Sequence, residues 1–310
     1  MRALSVRPPD GRKLPTARVT ALMFLLPALA LYLLFVLFPV IQAAHYSLFK
    51  WNGLMPLDDF VGLKNYQTAL SSDVFQQALA NNVFILVFSL LLQIPFSLSL
   101  AVLLNRRFVG RGFFRLVFFL PYVLSEAITG VIFTLLLQPG ALVDKSLMGI
   151  GLGGLVHDWL GDTSFVMITL FIIISWKYFG FHMILLLAGL QGIPREIEEA
   201  ALIDGAGRWQ AFRHVTLPLL GPTLRVSIFL SMIGALQLFD MIWVMTRGGP
   251  IGSSNTMAIL MFKSGFTNQQ MGYGSALAVL LFLFALVLAL AYQRLVLRRD
   301  VEGALTAFNG

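Results

Sequence analysis

The sequence predicts an all-α, polytopic membrane protein, and three observations carry the prediction. Of its 310 residues, 58% are hydrophobic and only 12% charged, whereas a soluble protein needs roughly 25% charged residues to cover its surface. The apolar residues gather into six runs, each near the ~20 residues needed to cross a hydrocarbon core. The 22 Lys and Arg residues favour alternate connecting segments, as the positive-inside rule requires. Inside lipid every backbone polar group must be bonded internally, so the runs are read as helices. The chain has no cysteine, and nothing speaks for a disulfide framework or a thiol site.

Taken in order, residues 1–18 form a basic arm with Arg2, Arg7, Arg12, Lys13 and Arg18. A basic start followed by Ala43-Ala44 resembles a cleavable signal. However, no Asp, Glu, Lys or Arg occurs from Val19 to Phe49, far longer than a signal core of roughly 7–15 residues. The expectation is an uncleaved first span near 20–45, with an external loop completing the segment 19–76. Further spans are expected near 82–104, 114–137, 165–190, 223–246 and 274–296, with Pro27, Pro39, Pro95 and Pro121 kinking the helices that hold them. These spans belong to one domain, 77–292, followed by a tail, 293–310.

With the N-terminus inside, one membrane face receives the arm, residues 105–115, the stretch 191–225 and the tail. Those segments carry sixteen cations, against five on the other face: Lys50, Lys64, Lys145, Arg247 and Lys263. Both termini are therefore expected in the cytoplasm, in a cell (inner, cytoplasmic) membrane. The asymmetry also accounts for the net charge of +7 without a nucleic-acid partner.

One polar stretch, 194–218, lies between two apolar spans. Pro194 with Glu196, Glu198 and Glu199 marks a helix start, where acids complement the positive end of the dipole. Asp204-Gly205-Ala206-Gly207 breaks that helix. Arg208 to Val215 is expected to form a second short helix, ended by Pro218. Ala200, Ala201 and Gly205 permit close approach to another surface, and Trp209 and Phe212, set beside charges, suit a protein interface. A plain solvated linker is the competing reading.

Glu199-Ala200-Ala201, then Gly205, then Val215-x-Leu217-Pro218, resembles the EAA loop of type-1 ABC importer permeases, with Val215 where isoleucine is more usual. The fifth-span region Leu236-Gln237-Leu238-Phe239-Asp240-x-Ile242-Trp243 through Gly248-Gly249-Pro250 resembles carbohydrate permeases of the maltose and glycerol-3-phosphate type, as do Phe119-Leu120-Pro121-Tyr122 and Gly272-Tyr273-Gly274. The external connector Phe60 to Tyr66, with Phe75 and Asn81-Asn82, is similar to that of sugar-type permeases. The resemblance implies the type-1 importer permease fold with six transmembrane helices. It implies a coupling helix carrying Glu199, Ala200, Ala201, Asp204, Gly205, Ala206, Phe212, Leu217 and Pro218. It implies as partners a second homologous permease, an ATP-binding cassette ATPase dimer and an extracytoplasmic solute-binding protein, besides membrane lipid.

Three ionisable residues fall inside expected spans: Glu126, Lys177 and Asp240. A charge at a helix centre costs about 2.5–3.5 kcal/mol on insertion scales, so each should face a partner, water or the bundle interior. One reading is a solute pathway, with Trp176, Tyr178, Gln237 and Phe239 at similar depth. Aromatic faces and amides there suit an uncharged polyol. The other reading is an interhelical ion pair of Lys177 with Asp240 or Glu126, or a contact of Lys177 and Asp240 with the partner permease.

Catalytic and metal-binding residues are not expected. His45, His157, His182 and His214 lack ligand spacing, and Gly149-x-Gly151-x-x-Gly154 follows a span rather than a strand. No Gly-Lys dipeptide occurs, so no P-loop is present. The chain is expected to be no enzyme and to hold no cofactor of its own, ATP being bound by a partner subunit. Rivals to a sugar-importer permease are a permease for glycerol-3-phosphate or another polar solute, an ion-coupled secondary transporter using Asp240 or Glu126, and a membrane receptor or structural protein.

Overall fold

The computed structural model describes residues 17–297, with side chains from 23 to 296. Arg2, Arg7, Arg12 and Lys13 of the arm, and Arg298 and Arg299 of the tail, lie outside the described residues. Among the described residues the structure is helical, and the sole β pairing is an isolated bridge between Phe49 and Phe60. In chain order the helices are α1 (Met23–Tyr46), α2 (Lys64–Leu70), α3 (Asp73–Asn105), α4 (Arg111–Val123), α5 (Glu126–Leu136), α6 (Leu142–Gly149), α7 (Val166–Gln191), α8 (Arg195–Ile203), α9 (Arg208–Leu219), α10 (Gly221–Gln237), α11 (Asp240–Thr246), α12 (Met257–Thr267) and α13 (Met271–Val296).

Four of these, α1, α3, α7 and α13, are long and apolar enough to cross a membrane unaided. Two of the expected spans are not single helices. The segment 114–137 is α4 and α5, which meet at 95°. The segment 223–246 is α10 and α11, interrupted at Leu238 and Phe239. Each break has polar residues beside it in an apolar run, Ser125-Glu126 at the first and Gln237 and Asp240 flanking the second. A sum of apolar letters is blind to such breaks because it records no backbone direction.

Proline acts more subtly than a kink. Pro39, Pro95 and Pro218 each follow a π turn by two residues, the turns being Leu33–Leu37, Ser89–Gln93 and Phe212–Thr216. The residue before each proline, Phe38, Ile94 or Leu217, donates its N–H five residues back. Widening the turn moves the carbonyl that the proline ring would strike and absorbs the missing donor. Pro218 is accommodated in the last turn of α9, which stops one residue later at Leu219 before the chain bends by 67° into α10.

The core is centred on α7, of whose most apolar window 56% is buried, whereas none of α1's is. Leu170, Ile173 and Ile174 of α7 pack with Ile85 and Leu86 of α3 and with Met241 and Ile242 of α11. A second cluster joins Ala101 and Leu104 of α3 to Met183, Leu186 and Leu190 of α7 and to Leu220. Gly180 of α7 is required by contact with α4, since a Cβ there would land on the Phe118 carbonyl.

Buried asparagines fasten α3 to the loop before α12. Asn81 Nδ2 donates to the carbonyls of Ser253 and Asn255 at 2.7 and 2.8 Å. Asn82 Nδ2 donates to the Ala235 carbonyl at 2.7 Å, and its Oδ1 accepts the Met257 N–H at 2.8 Å. One side chain thereby satisfies a carbonyl at the end of α10 and an amide at the start of α12.

Candidate functional site

Residues 194–218 form a closed helix–turn–helix. Pro194 enters α8 with extended backbone, and Glu196 and Glu198 occupy the first turn. The helix ends in a Schellman arrangement: Ala206 N–H donates to the Ala201 carbonyl at 3.0 Å, and Gly205 N–H to that of Leu202 at 3.1 Å. Gly205 has φ +87°, a left-handed conformation that glycine adopts without strain. Gly207 then starts α9, its N–H donating to Gln210 Oε1 at 2.8 Å. The two helices are tied where the Thr216 hydroxyl donates to Glu198 Oε1 at 2.7 Å.

The loop has two faces. Arg195, Glu198, Glu199 and Leu202, spaced at helical intervals along α8, line a cavity of about 600 Å³ against the ends of α3 and α7. On the other side Ala200 and Gly205 are exposed, and Ile203 is 85% and Trp209 69% exposed. Trp209 and Phe212 hold each other at 5.6 Å between ring centroids. Asp204, Pro218 and Glu199 are exposed, whereas Ala201, Ala206, Phe212 and Leu217 are half-buried. Glu199 thus lies on the cavity side of α8, separate from the exposed Ala200 and Ile203. The apolar tip at Ile203 is a feature that the motif letters did not signal.

The break between α4 and α5 is held by consecutive residues of α7. Lys177, only 2% exposed, donates from Nζ to the carbonyls of Pro121 at 3.5 Å, Tyr122 at 3.4 Å and Leu124. These are carbonyls that the end of α4 leaves without helical partners, and the ammonium sits at the negative end of its dipole. The next residue, Tyr178, donates its hydroxyl to Glu126 Oε1 at the first position of α5. Ser125 caps α5 by accepting the Ile128 N–H at 3.2 Å. Lys177 therefore serves backbone carbonyls, whereas the sequence left open a place in a solute pathway, an ion pair with Asp240 or Glu126, and a contact with the partner permease. The letters cannot show that a neighbouring helix stops beside it.

The remaining candidates sit at or near the second break. Gln237 and Asp240 are exposed on either side of it, and Phe239 stacks on Trp243 at 5.6 Å and 13°. The two breaks adjoin because α5 and α11 pack closely at Gly130, where a Cβ would lie 3.0 Å from Val244 Cγ1. Trp176 is exposed beside Phe133, ring edge to ring face at 5.1 Å. Glu126, Tyr178, Gln237, Phe239 and Asp240 thus gather around two broken helices, whereas Lys177 lies behind them. Among the described residues no three His, Cys, Asp or Glu side chains cluster as a metal site would require.

Long apolar helices, two interrupted apolar segments that adjoin, and a polar helix–turn–helix between spans are the architecture of a membrane permease. The chain belongs to the family of binding-protein-dependent transport system inner membrane components, whose model matches residues 93–301. It is 37% identical over 280 residues to a probable ABC transporter permease protein of Bacillus subtilis, covering 89% of this chain and 96% of that one. It is 34% identical to the diacetylchitobiose uptake system permease protein of Streptomyces coelicolor, over 91% of this chain and 83% of that one. It is 35% identical to the trehalose/maltose transport system permease protein of Thermococcus litoralis, over 88% and 92%. In fold it matches a chain of a bacterial ABC transporter that imports alginate, with TM-score 0.78 at 24% identity over 90% of this chain and 96% of that chain. Such a permease is a transport subunit and not an enzyme, ATP hydrolysis belonging to a separate subunit.

Proposed function

We propose that this chain translocates a mono- or oligosaccharide as the permease subunit of an ATP-driven, binding-protein-dependent importer. The observation that carries the reading is the helix–turn–helix 194–218, which is closed on itself by its own hydrogen bonds yet exposes Ile203 and Trp209. Large apolar side chains on a rigid polar tip suit docking to another protein, here the ATPase dimer. A saccharide is supported by relatives named for diacetylchitobiose and trehalose/maltose, and by exposed Trp176, Gln237 and Asp240 near the broken helices. A second permease and an extracytoplasmic binding protein complete the assembly. The distribution of cations supports a cytoplasmic side for both termini and the loop, and six spans result if each interrupted segment crosses once.

In this mechanism ATP closes the ATPase dimer and moves the loop. The permease halves then rock about a midplane site between inward-facing and outward-facing states. Gly205→Asp tests it. No heavy atom lies within 4 Å of a Cβ at Gly205, so the cost is confined to its positive φ, about 1–2 kcal/mol. The variant is expected to insert and fold but to lose sugar uptake and ATPase recovery on affinity purification. Unchanged uptake in a variant of normal abundance would sink the reading. A parent chain that purifies alone and moves solute into liposomes without ATP would favour ion-coupled transport.

A further inference from the structure

The cavity on the inner side of α8 has a chemistry that coupling to an ATPase leaves unexplained. We propose that it is a binding site for an anionic phosphate group, filled by the headgroup of an acidic phospholipid from the adjoining leaflet. Arg106 and Arg107, just past α3, meet Arg195 of α8 and Arg208 of α9 around about 600 Å³. Glu198 and Glu199 oppose them in the lining, and the Thr216 hydroxyl bonds Glu198 without removing its charge, so the lining keeps an excess of two positive charges. Among the described residues none of the four guanidiniums makes a side-chain hydrogen bond or an ion pair. Two carboxylates offset only half of the four positive charges around this space, and an anion relieves the repulsion that remains. The planar fork of arginine matches phosphate oxygens in pairs.

Two features favour a lipid over soluble phosphate. The cavity is lined by the ends of α3 and α7, both long and apolar enough to cross a membrane, so a span that fills the hydrocarbon core brings it beside the headgroup layer. Its basic rim also runs directly into exposed apolar side chains: Phe108, Val109, Phe113 and Leu116 are all exposed. Arg115 Nη2 fixes this segment by donating to the Leu104 carbonyl at 2.9 Å. Acyl chains would cover that apolar surface while the headgroup reaches the arginines, as in basic pockets between the helices of other membrane proteins.

The inference rests on the cytoplasmic placement of the loop proposed above. The test uses the complex purified in mild detergent, parent beside Arg106→Gln/Arg107→Gln/Arg195→Gln, titrated with phosphatidylglycerol, phosphatidylcholine and, separately, inorganic phosphate. Lipid adducts are counted by native mass spectrometry, and recovery of the partner subunits reports whether the variant folds and whether the importer reading holds. The parent is expected to retain phosphatidylglycerol in preference to phosphatidylcholine. The triple variant should weaken that retention by roughly fivefold per arginine, with assembly intact. Equal retention of the two lipids, or no change in an assembled variant, overturns the site. Displacement by inorganic phosphate without any lipid preference overturns the lipid source and leaves a soluble phosphate ligand.

Discussion

Replacing Lys177 by Met keeps the length of the side chain but removes the ammonium that closes the end of α4. The carbonyls of Pro121, Tyr122 and Leu124 then lose their common donor in a buried place. Leaving such acceptors unpaired costs about 1–3 kcal/mol. The variant is expected to melt earlier in detergent, with Lys177→Arg falling between it and the parent. Equal melting of all three would mean that the clamp does not bear on stability. Asp144 makes a different prediction in the segment between α5 and α7. Its carboxylate accepts the Trp159 indole N–H at 2.8 Å and the Gly140 N–H at 2.7 Å. These bonds, led by Trp159 and aided by nearby His157, hold its pKa below the ordinary value against the opposing effect of burial. A lowered pKa means that the stabilisation is fully present above the unfolded carboxylate value of about 3.9. It is lost as pH falls through the lower folded value. Asp144→Asn should be less stable at neutral pH and should lose part of the parent's acid sensitivity below about pH 4, as read by tryptophan fluorescence. A parallel pH profile in the two proteins would remove the role given to this carboxylate.

At the scale of elements, the break between α4 and α5 invites a direct test. Ser125→Ala removes the oxygen that caps α5, which costs about 1 kcal/mol in a typical N-cap. The expected result is a modest fall in melting temperature in detergent, smaller than that of Lys177→Met. No shift at all would assign the hold on this junction to α7 alone. The same junction marks the limit of what the sequence disclosed. Apolar length located the spans because burial in lipid depends on side-chain transfer, which composition records. It joined α4 to α5, and α10 to α11, because Ser125-Glu126 and Asp240 are a few polar letters in long apolar runs. Turns were legible where one residue dictates backbone geometry, as Gly205 does with φ +87°. Pro218 marked the end of α9 to within one residue, whereas the π turn five residues long before it was not legible. The partners of Lys177 were hidden for another reason. They are carbonyls, which every residue carries, more than fifty positions away in the chain.

For the whole molecule, the distribution of charge and the fold make a joint prediction about sidedness. Val109 lies between α3 and α4, beside Arg106, Arg107 and Arg111, whereas Ile251 lies in the loop between α11 and α12. Both side chains are almost fully open, at 100% and 99% exposed. Because the chain has no cysteine, Val109→Cys and Ile251→Cys each supply a single thiol without background. Excess cations on the cytoplasmic side should place Val109 inside and Ile251 outside. A membrane-impermeant maleimide should therefore label Ile251→Cys in intact cells and Val109→Cys only after the membrane is opened. Labelling of Val109→Cys from outside would invert the molecule, turning the 194–218 loop away from ATP and removing the ground for both the coupling mechanism and a cytoplasmic-leaflet lipid. Labelling of both from outside would require an even number of crossings between them in place of three, so that one of the two pairs, α4 with α5 or α10 with α11, would have to enter and leave on the same face. That one interrupted segment would then be re-entrant rather than spanning.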